Sequence, residues 1–235
     1  MNAPGIAGYC GLLLKPSQAV PKAAVVLLPD WRGQSQLAHD HANYLVGLGC
    51  AVAIADLYGD GFNPDSPEQV GPMVKHLIEN RAEGVAALAA CVAGLRQEIP
   101  GATQTLCLGY SVGGDIALDY GRSGGDIDGI ILCSAMVRAA AQGMNTRIHV
   151  PVLVLQGTQD QVSPMNEIAA VIAEMDEAGN DVRFVLFSQT HHAFDNPEAG
   201  SDPTARLVYS ELAARRARDE ITSFISEVSE KKKSG

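Results

Sequence analysis

Two hydrophobic spacings alternate along this chain. Short, mostly apolar runs recur at residues 23–28 (AAVVLL), 51–55 (AVAIA), 106–108 (LCL), 127–133 (IDGIILC), 150–156 (VPVLVLQ) and 182–187 (VRFVLF). The run at 23–28, rich in valine and leucine, reads as a strand covered on both faces, and the other runs read as further strands. Between them the spacing turns helical. Leu37, His41, Tyr44, Leu45 and Leu48 share a face, and Gly49 is placed to end that helix. Val85, Leu88, Val92 and Leu95 lie on one face of an alanine-rich helix over about 81–98. Ile168, Val171, Ile172 and Met175 form the stripe of a helix over about 164–178, and a final helix is predicted over about 203–228. Tyr9 to Leu14 reads as an early edge strand. Residues 59–72, with Asn63-Pro64, Ser66-Pro67 and Gly71-Pro72, read as a loop or lid rather than core.

Strands alternating with helices predict a single α/β domain over residues 1–235. Its sheet is expected to be doubly wound and mostly parallel, with helices on both faces. Residues from about 229 to 235, including Lys231-Lys232-Lys233, are expected to form a flexible basic tail. Ligands of such sheets bind beyond the carboxyl ends of the strands, so the segments leaving those ends carry the candidate chemistry.

Composition narrows the function classes. The chain is 46% hydrophobic and 19% charged, which excludes bulk disorder. Its formal net charge of −10 does not suit nucleic acid or an anionic membrane as a partner. No stretch reaches the length of a membrane span. The N-terminus lacks the basic start and long apolar run of a signal peptide. Cys10, Cys50, Cys91, Cys107 and Cys133 are odd in number and mostly lie in apolar runs, so reduced, buried thiols and a cytoplasmic location are expected. A monomer and a homodimer are equally compatible with the sequence.

Gly109-Tyr110-Ser111-Val112-Gly113 fits G-x-S-x-G. It follows an apolar strand and precedes Gly114 and an apolar helix, the strand–turn–helix context that holds a nucleophilic serine in an exposed turn. A serine hydroxyl needs a base, and the base needs an orienting acid. The expected order is serine, acid, histidine. His191 and His192 follow the last strand, and either supplies the base on sequence grounds. Asp160, after the Gly157-Thr158-Gln159 turn, is the candidate acid, with Asp195 the runner-up. The backbone N–H groups of Val112 and Trp31 are the candidate oxyanion donors. Arg32, Arg81 and Arg138 are possible anion contacts. His39, Asp40 and His41 fall two apart on a helix and do not share a face, so no metal is expected, and no cofactor.

Several segments together resemble the dienelactone hydrolase family. They are Asp30-Trp31-Arg32-Gly33, Ala55-Asp56-Leu57-Tyr58-Gly59, the Ser111 elbow with Gly114, Gly157-Thr158-Gln159-Asp160, and His192-Ala193-Phe194. The resemblance spans most of the chain. It implies the α/β-hydrolase fold and places Ser111 as nucleophile, Asp160 as acid and His192, rather than His191, as base. Asp30, Tyr58, Tyr110 and Phe194, within these segments, are candidate pocket residues. The family's type member has cysteine where Ser111 stands. The dienelactone enzymes also carry an arginine shortly after the histidine to hold a substrate carboxylate, where this chain has Asp195-Asn196. The expectation is therefore a serine hydrolase cleaving a neutral carboxylic ester of a small molecule through an acyl-enzyme. The alternatives are a lactone hydrolase of the dienelactone type and a non-catalytic binding module on the same fold.

Overall fold

The computed structural model describes residues 10–59, 61–64, 66–140, 143–144 and 146–231. Tyr9 and the N-terminal segment before it lie outside the described residues, as do 232–235 of the expected tail. A seven-stranded sheet runs in the order β1-β3-β2-β4-β5-β6-β7. Its strands are β1 (Cys10–Leu14), β2 (Ala24–Leu28), β3 (Ala51–Ala55), β4 (Thr105–Ser111), β5 (Gly129–Ala135), β6 (Val152–Gly157) and β7 (Val182–Phe187). Only β1 is antiparallel; it pairs with β3 at one edge, and all other neighbours are parallel. Parallel neighbours need crossovers. These are α1 (Gln36–Gly47), α2 (Pro67–Glu79), α3 (Arg81–Glu98), α4 (Val112–Arg122) and α5 (Met165–Glu177), and α6 (Glu211–Lys231) closes the chain.

Strand side chains alternate between two cores. Val26, Leu28, Cys107, Ile130 and Leu132 face one side, packed with α3, α4 and α5 residues such as Leu88, Ile116 and Ile168. Val25, Leu27, Leu106, Leu108 and Ile131 face the other, against Leu45 of α1 and Ile221 and Phe224 of α6. Burial on both faces explains why the inner strands β2, β3, β5 and β6 read as largely apolar runs, while edge strand β7, partly exposed, carries Arg183.

Three expectations change. Pro67–Glu79 is helical despite its prolines, because Pro67 starts the helix and Ser66 caps it, with Oγ accepting the Gln69 N–H at 3.4 Å. The excursion therefore ends in a helix beside the site. The final helix starts later than predicted, at Glu211, and runs to Lys231, so 229–231 are helical rather than tail. Cys91 is disulfide-bonded, against the expected reduced state, since spacing along the chain does not reveal which sulfurs the fold brings together. Cys50, Cys107 and Cys133 are free and buried. No helix among the described residues is long and apolar enough to cross a membrane.

Candidate active site

The site forms where β4 stops and α4 begins. Ser111, the last residue of β4, has φ 47° and ψ −122°, a region a side-chain-bearing residue occupies only under strain. The turn is this tight because its neighbours lack side chains. A Cβ on Gly113 would lie 2.5 Å from the Leu28 carbonyl oxygen, and one on Gly109 2.5 Å from the Gly114 Cα. Val112 opens α4, so its N–H has no partner within the helix and points with the positive end of the helix dipole.

Strand β6 brings the acid. Gly157 ends β6 so close to Thr190 that any Cβ would collide with the Thr190 carbonyl. The two segments are then tied by Gln159 N–H to Thr190 O at 2.9 Å and Gln189 N–H to Thr158 Oγ1 at 3.1 Å. Asp160 is 4% exposed and fully engaged. Its Oδ1 accepts the Val162 and Ser163 N–H groups at 2.7 and 2.9 Å, and its Oδ2 accepts Gln156 Nε2 at 2.6 Å.

Of the neighbouring histidines, it is His192 whose ring lies between acid and serine. Its Nδ1 is 2.7 Å from Asp160 Oδ2 and its Nε2 is 3.1 Å from Ser111 Oγ. With Nδ1–H donating to the carboxylate, Nε2 is left to accept the serine proton. The loop that carries His192 is fixed from several sides. The Ala193 N–H donates to Ser134 Oγ at 2.7 Å, and the carbonyls of His192 and Phe194 accept Val208 N–H at 3.1 Å and Ser210 N–H at 3.0 Å. Ser134 itself has φ 46° and sits where the β4–β5 register shifts, opposite the elbow.

The loop after β2 faces the elbow. Asp30 Oδ1 accepts the Arg32 N–H at 2.9 Å, and its Oδ2 accepts Arg32 Nε and an Arg32 terminal nitrogen at 3.1 and 2.7 Å. The other Arg32 terminal nitrogen donates to Glu198 at 2.8 Å. Burial alone would lower the Arg32 pKa, but the hydrogen bond and charge of Asp30 outweigh it and raise it, so Arg32 stays a cation. Tyr58 donates its hydroxyl to the Trp31 carbonyl at 2.7 Å. Burial, followed by the Asp30 charge, pushes the Tyr58 phenol well up, so it remains a donor. Tyr58 is itself placed by Asp56, which accepts the Gly59 and Gly61 N–H groups at 2.9 and 2.8 Å. Among the described residues no protein acceptor takes the Trp31 N–H.

These elements enclose a cavity of about 610 Å³. Ser111, Val112, His192 and Trp31 line it, with Val70 and Val74 of α2, Met136, Val162 and Leu207 as an apolar wall. Asp30 and Tyr110, two of the candidate pocket residues, also line it. Two other expected pocket residues do not. Phe194 is fully buried in the core against Phe187, because the loop turns inward directly after His192. Tyr58 lies behind the Trp31 loop and acts on its carbonyl rather than on the cavity. Arg81 and Arg138 are not free to hold an anion either. They are paired with Asp119 and Asp115 of α4, in contacts that include Arg81 to Asp119 at 2.7 Å and Arg138 to Asp115 at 3.1 Å. His41 is buried against Asp195 instead of grouping with His39 and Asp40.

Sequence reasoning missed Gln156, Ser134 and the His41–Asp195 pair. The visible signals were faint: a glutamine and a serine ending otherwise apolar strands, and a histidine on an apolar helical face.

No curated protein matches the chain. Among solved structures, one named m3DLH is 28% identical with a TM-score of 0.80, covering 90% of this chain and 89% of its own. A dienelactone hydrolase-like promiscuous phosphotriesterase, P91, from metagenomic libraries is 24% identical with a TM-score of 0.83, covering 90% and 88%. A thermophilic esterase, Est2, from the Planctomycetes species Thermogutta terrifontis, solved with propionate bound, is 19% identical with a TM-score of 0.68, covering 92% and 88%. The model of the dienelactone hydrolase family matches residues 9–229. The chain therefore belongs to the dienelactone hydrolase family and is a hydrolase acting on esters.

Proposed function

We propose that this hydrolase cleaves a neutral carboxylic ester of a small molecule through an acyl-enzyme formed on Ser111. The observation that carries the reading is the His192 ring, held 2.7 Å from Asp160 and 3.1 Å from Ser111. Ser111 Oγ attacks the ester carbonyl as His192 Nε2 takes its proton. Asp160 holds the tautomer and stabilises the imidazolium. The oxyanion is bound by the Val112 and Trp31 N–H groups, preorganised donors at a helix start and on a braced loop. The tetrahedral species collapses, and His192 returns the proton to the departing alcohol. Water, deprotonated by His192, then attacks the acyl-serine. This releases the acid and regenerates Ser111.

Ser111→Ala removes the nucleophile from a turn whose strain does not depend on the hydroxyl. The variant is expected to stay folded and to lose turnover of a short p-nitrophenyl ester by on the order of 10³-fold or more. A fluorophosphonate probe should label wild-type Ser111. Retained turnover in the variant would sink the assignment, and absent labelling would favour a binding module.

Arg206, which lines the cavity, is the one observation that favours a carboxylate-bearing lactone as substrate. Asp195 and Glu198 line the same cavity and oppose it. A single-domain organisation is part of the proposal, supported by the one continuous sheet. So is a cytoplasmic location, supported by the three free buried thiols and opposed by the disulfide at Cys91.

A further inference from the structure

Asp195 is an acidic side chain in the cavity wall that the steps above do not use. It is 9% exposed. Its Oδ2 lies 3.1 Å from His41 Nε2. His41 is 7% exposed, and its ring stacks on Tyr110 with centroids 4.2 Å apart and planes 10° from parallel. The stack fixes the imidazole, and the imidazole fixes the carboxylate. Among the described residues no protein donor reaches Asp195 Oδ1, and this oxygen is not sealed in the interior. Asp195 is among the residues that line the cavity.

Among the cavity carboxylates, Asp195 is the buried one with an oxygen that no protein donor among the described residues takes, while Glu198 is exposed to water. Arg32 is taken by Asp30 and Glu198, and Asp30 uses both oxygens on Arg32. Arg206 lies on the exposed side of the cavity, where water and salt screen it. A carboxylate only accepts hydrogen bonds. An acceptor covered by substrate without a donor loses its hydration, so an apolar substrate group there is penalised. A substrate carboxylate is repelled. A substrate ammonium would have to shed its water against the apolar wall of Val70, Val74, Met136 and Val162, at a cost a hydroxyl largely avoids.

We propose that Asp195, braced by His41, is a specificity-determining residue that reads a hydroxyl group on the substrate, away from the ester being cleaved. The inference rests on the ester-hydrolase reading and narrows it to hydroxyl-bearing esters. The test uses a matched series of 4-nitrophenyl benzoates with hydroxymethyl, ethyl, aminomethyl or carboxylate at the para position. Each kcat/KM is divided by that ester's own hydroxide-catalysed rate constant. The hydroxymethyl ester is expected to exceed the ethyl ester by about tenfold or more, and the carboxylate ester to be the poorest. In Asp195→Leu the hydroxymethyl-to-ethyl ratio, measured within the one variant, is expected to fall to about one. Equal rates across the wild-type series, a preference for the carboxylate or aminomethyl ester, or an undiminished ratio in Asp195→Leu overturns the proposal. If that variant does not fold, the wild-type series alone decides. Ethyl-ester turnover that survives Ser111→Ala is a separate result, which overturns the underlying reading instead.

Discussion

His192 Nδ1 lies 2.7 Å from Asp160 Oδ2, an oxygen that also accepts Gln156 Nε2 at 2.6 Å. The carboxylate is thus an acceptor on every side, with Oδ1 held by the Val162 and Ser163 N–H groups. In Asp160→Asn those two donors demand the amide oxygen, which leaves the amide nitrogen facing His192. The ring must then put its proton on Nε2, where it cannot accept from Ser111. We expect kcat for a p-nitrophenyl ester to fall by on the order of 10³–10⁴-fold, with KM within a few-fold of wild type. A fall of less than tenfold would remove Asp160 from the proposed triad.

Ser134 holds the histidine loop through its bond to the Ala193 N–H, from a backbone in the left-handed region. Ser134→Ala keeps the strain and loses the bond. It should destabilise the fold by about 1–2 kcal/mol in urea unfolding and lower kcat several-fold. Ser134→Gly loses the same bond but relieves the strain, by about 1 kcal/mol. It should therefore be the more stable of the two at a similar kcat. Equal kcat in wild type and both variants would refute a positioning role.

Phe194 packs edge-on against Phe187 with ring centroids 5.4 Å apart, inside the core rather than in the cavity. Phe194→Ala is expected to cost about 3–5 kcal/mol of stability, measured as a shift of the urea midpoint. A pocket role predicts the reverse pattern, an altered KM at nearly unchanged stability.

Burial pushes the Cys50 thiol up from 9.0 to about 11, and burial raises Cys107 and Cys133 as well. A folded pKa above the unfolded value means that the unfolded chain releases these protons first as pH rises. Stability is then fully present below about pH 9 and is lost progressively toward pH 11. Urea unfolding between pH 8 and 11 should show this decline, and Cys50→Ala should make it shallower. The three thiols should also resist a thiol reagent at neutral pH until the protein unfolds.

The sequence by itself determined the strands, the elbow and every crossover helix except Pro67–Glu79, whose prolines read as a loop. Those features depend on local spacing: apolar runs covered on both faces, helical stripes, and glycines where a Cβ would strike a neighbouring backbone. Strands 51–55 and 182–187 and the helix over 81–98 match the observed elements residue for residue. Ser111, Asp160 and the His191–His192 pair were legible as candidates for the same reason, since each leaves the carboxyl end of a strand, whereas the choice of His192 came only from the family resemblance. Tertiary structure decided whatever depended on side chains meeting from distant segments. It put Phe194 in the core and Tyr58 behind Trp31, committed Arg81 and Arg138 to α4, and closed a disulfide at Cys91. It also joined His41 to Asp195, two residues far apart in sequence, behind the cavity that Asp195 lines. Direction and burial of a single side chain are set by packing, and packing is not written in the spacing of its neighbours.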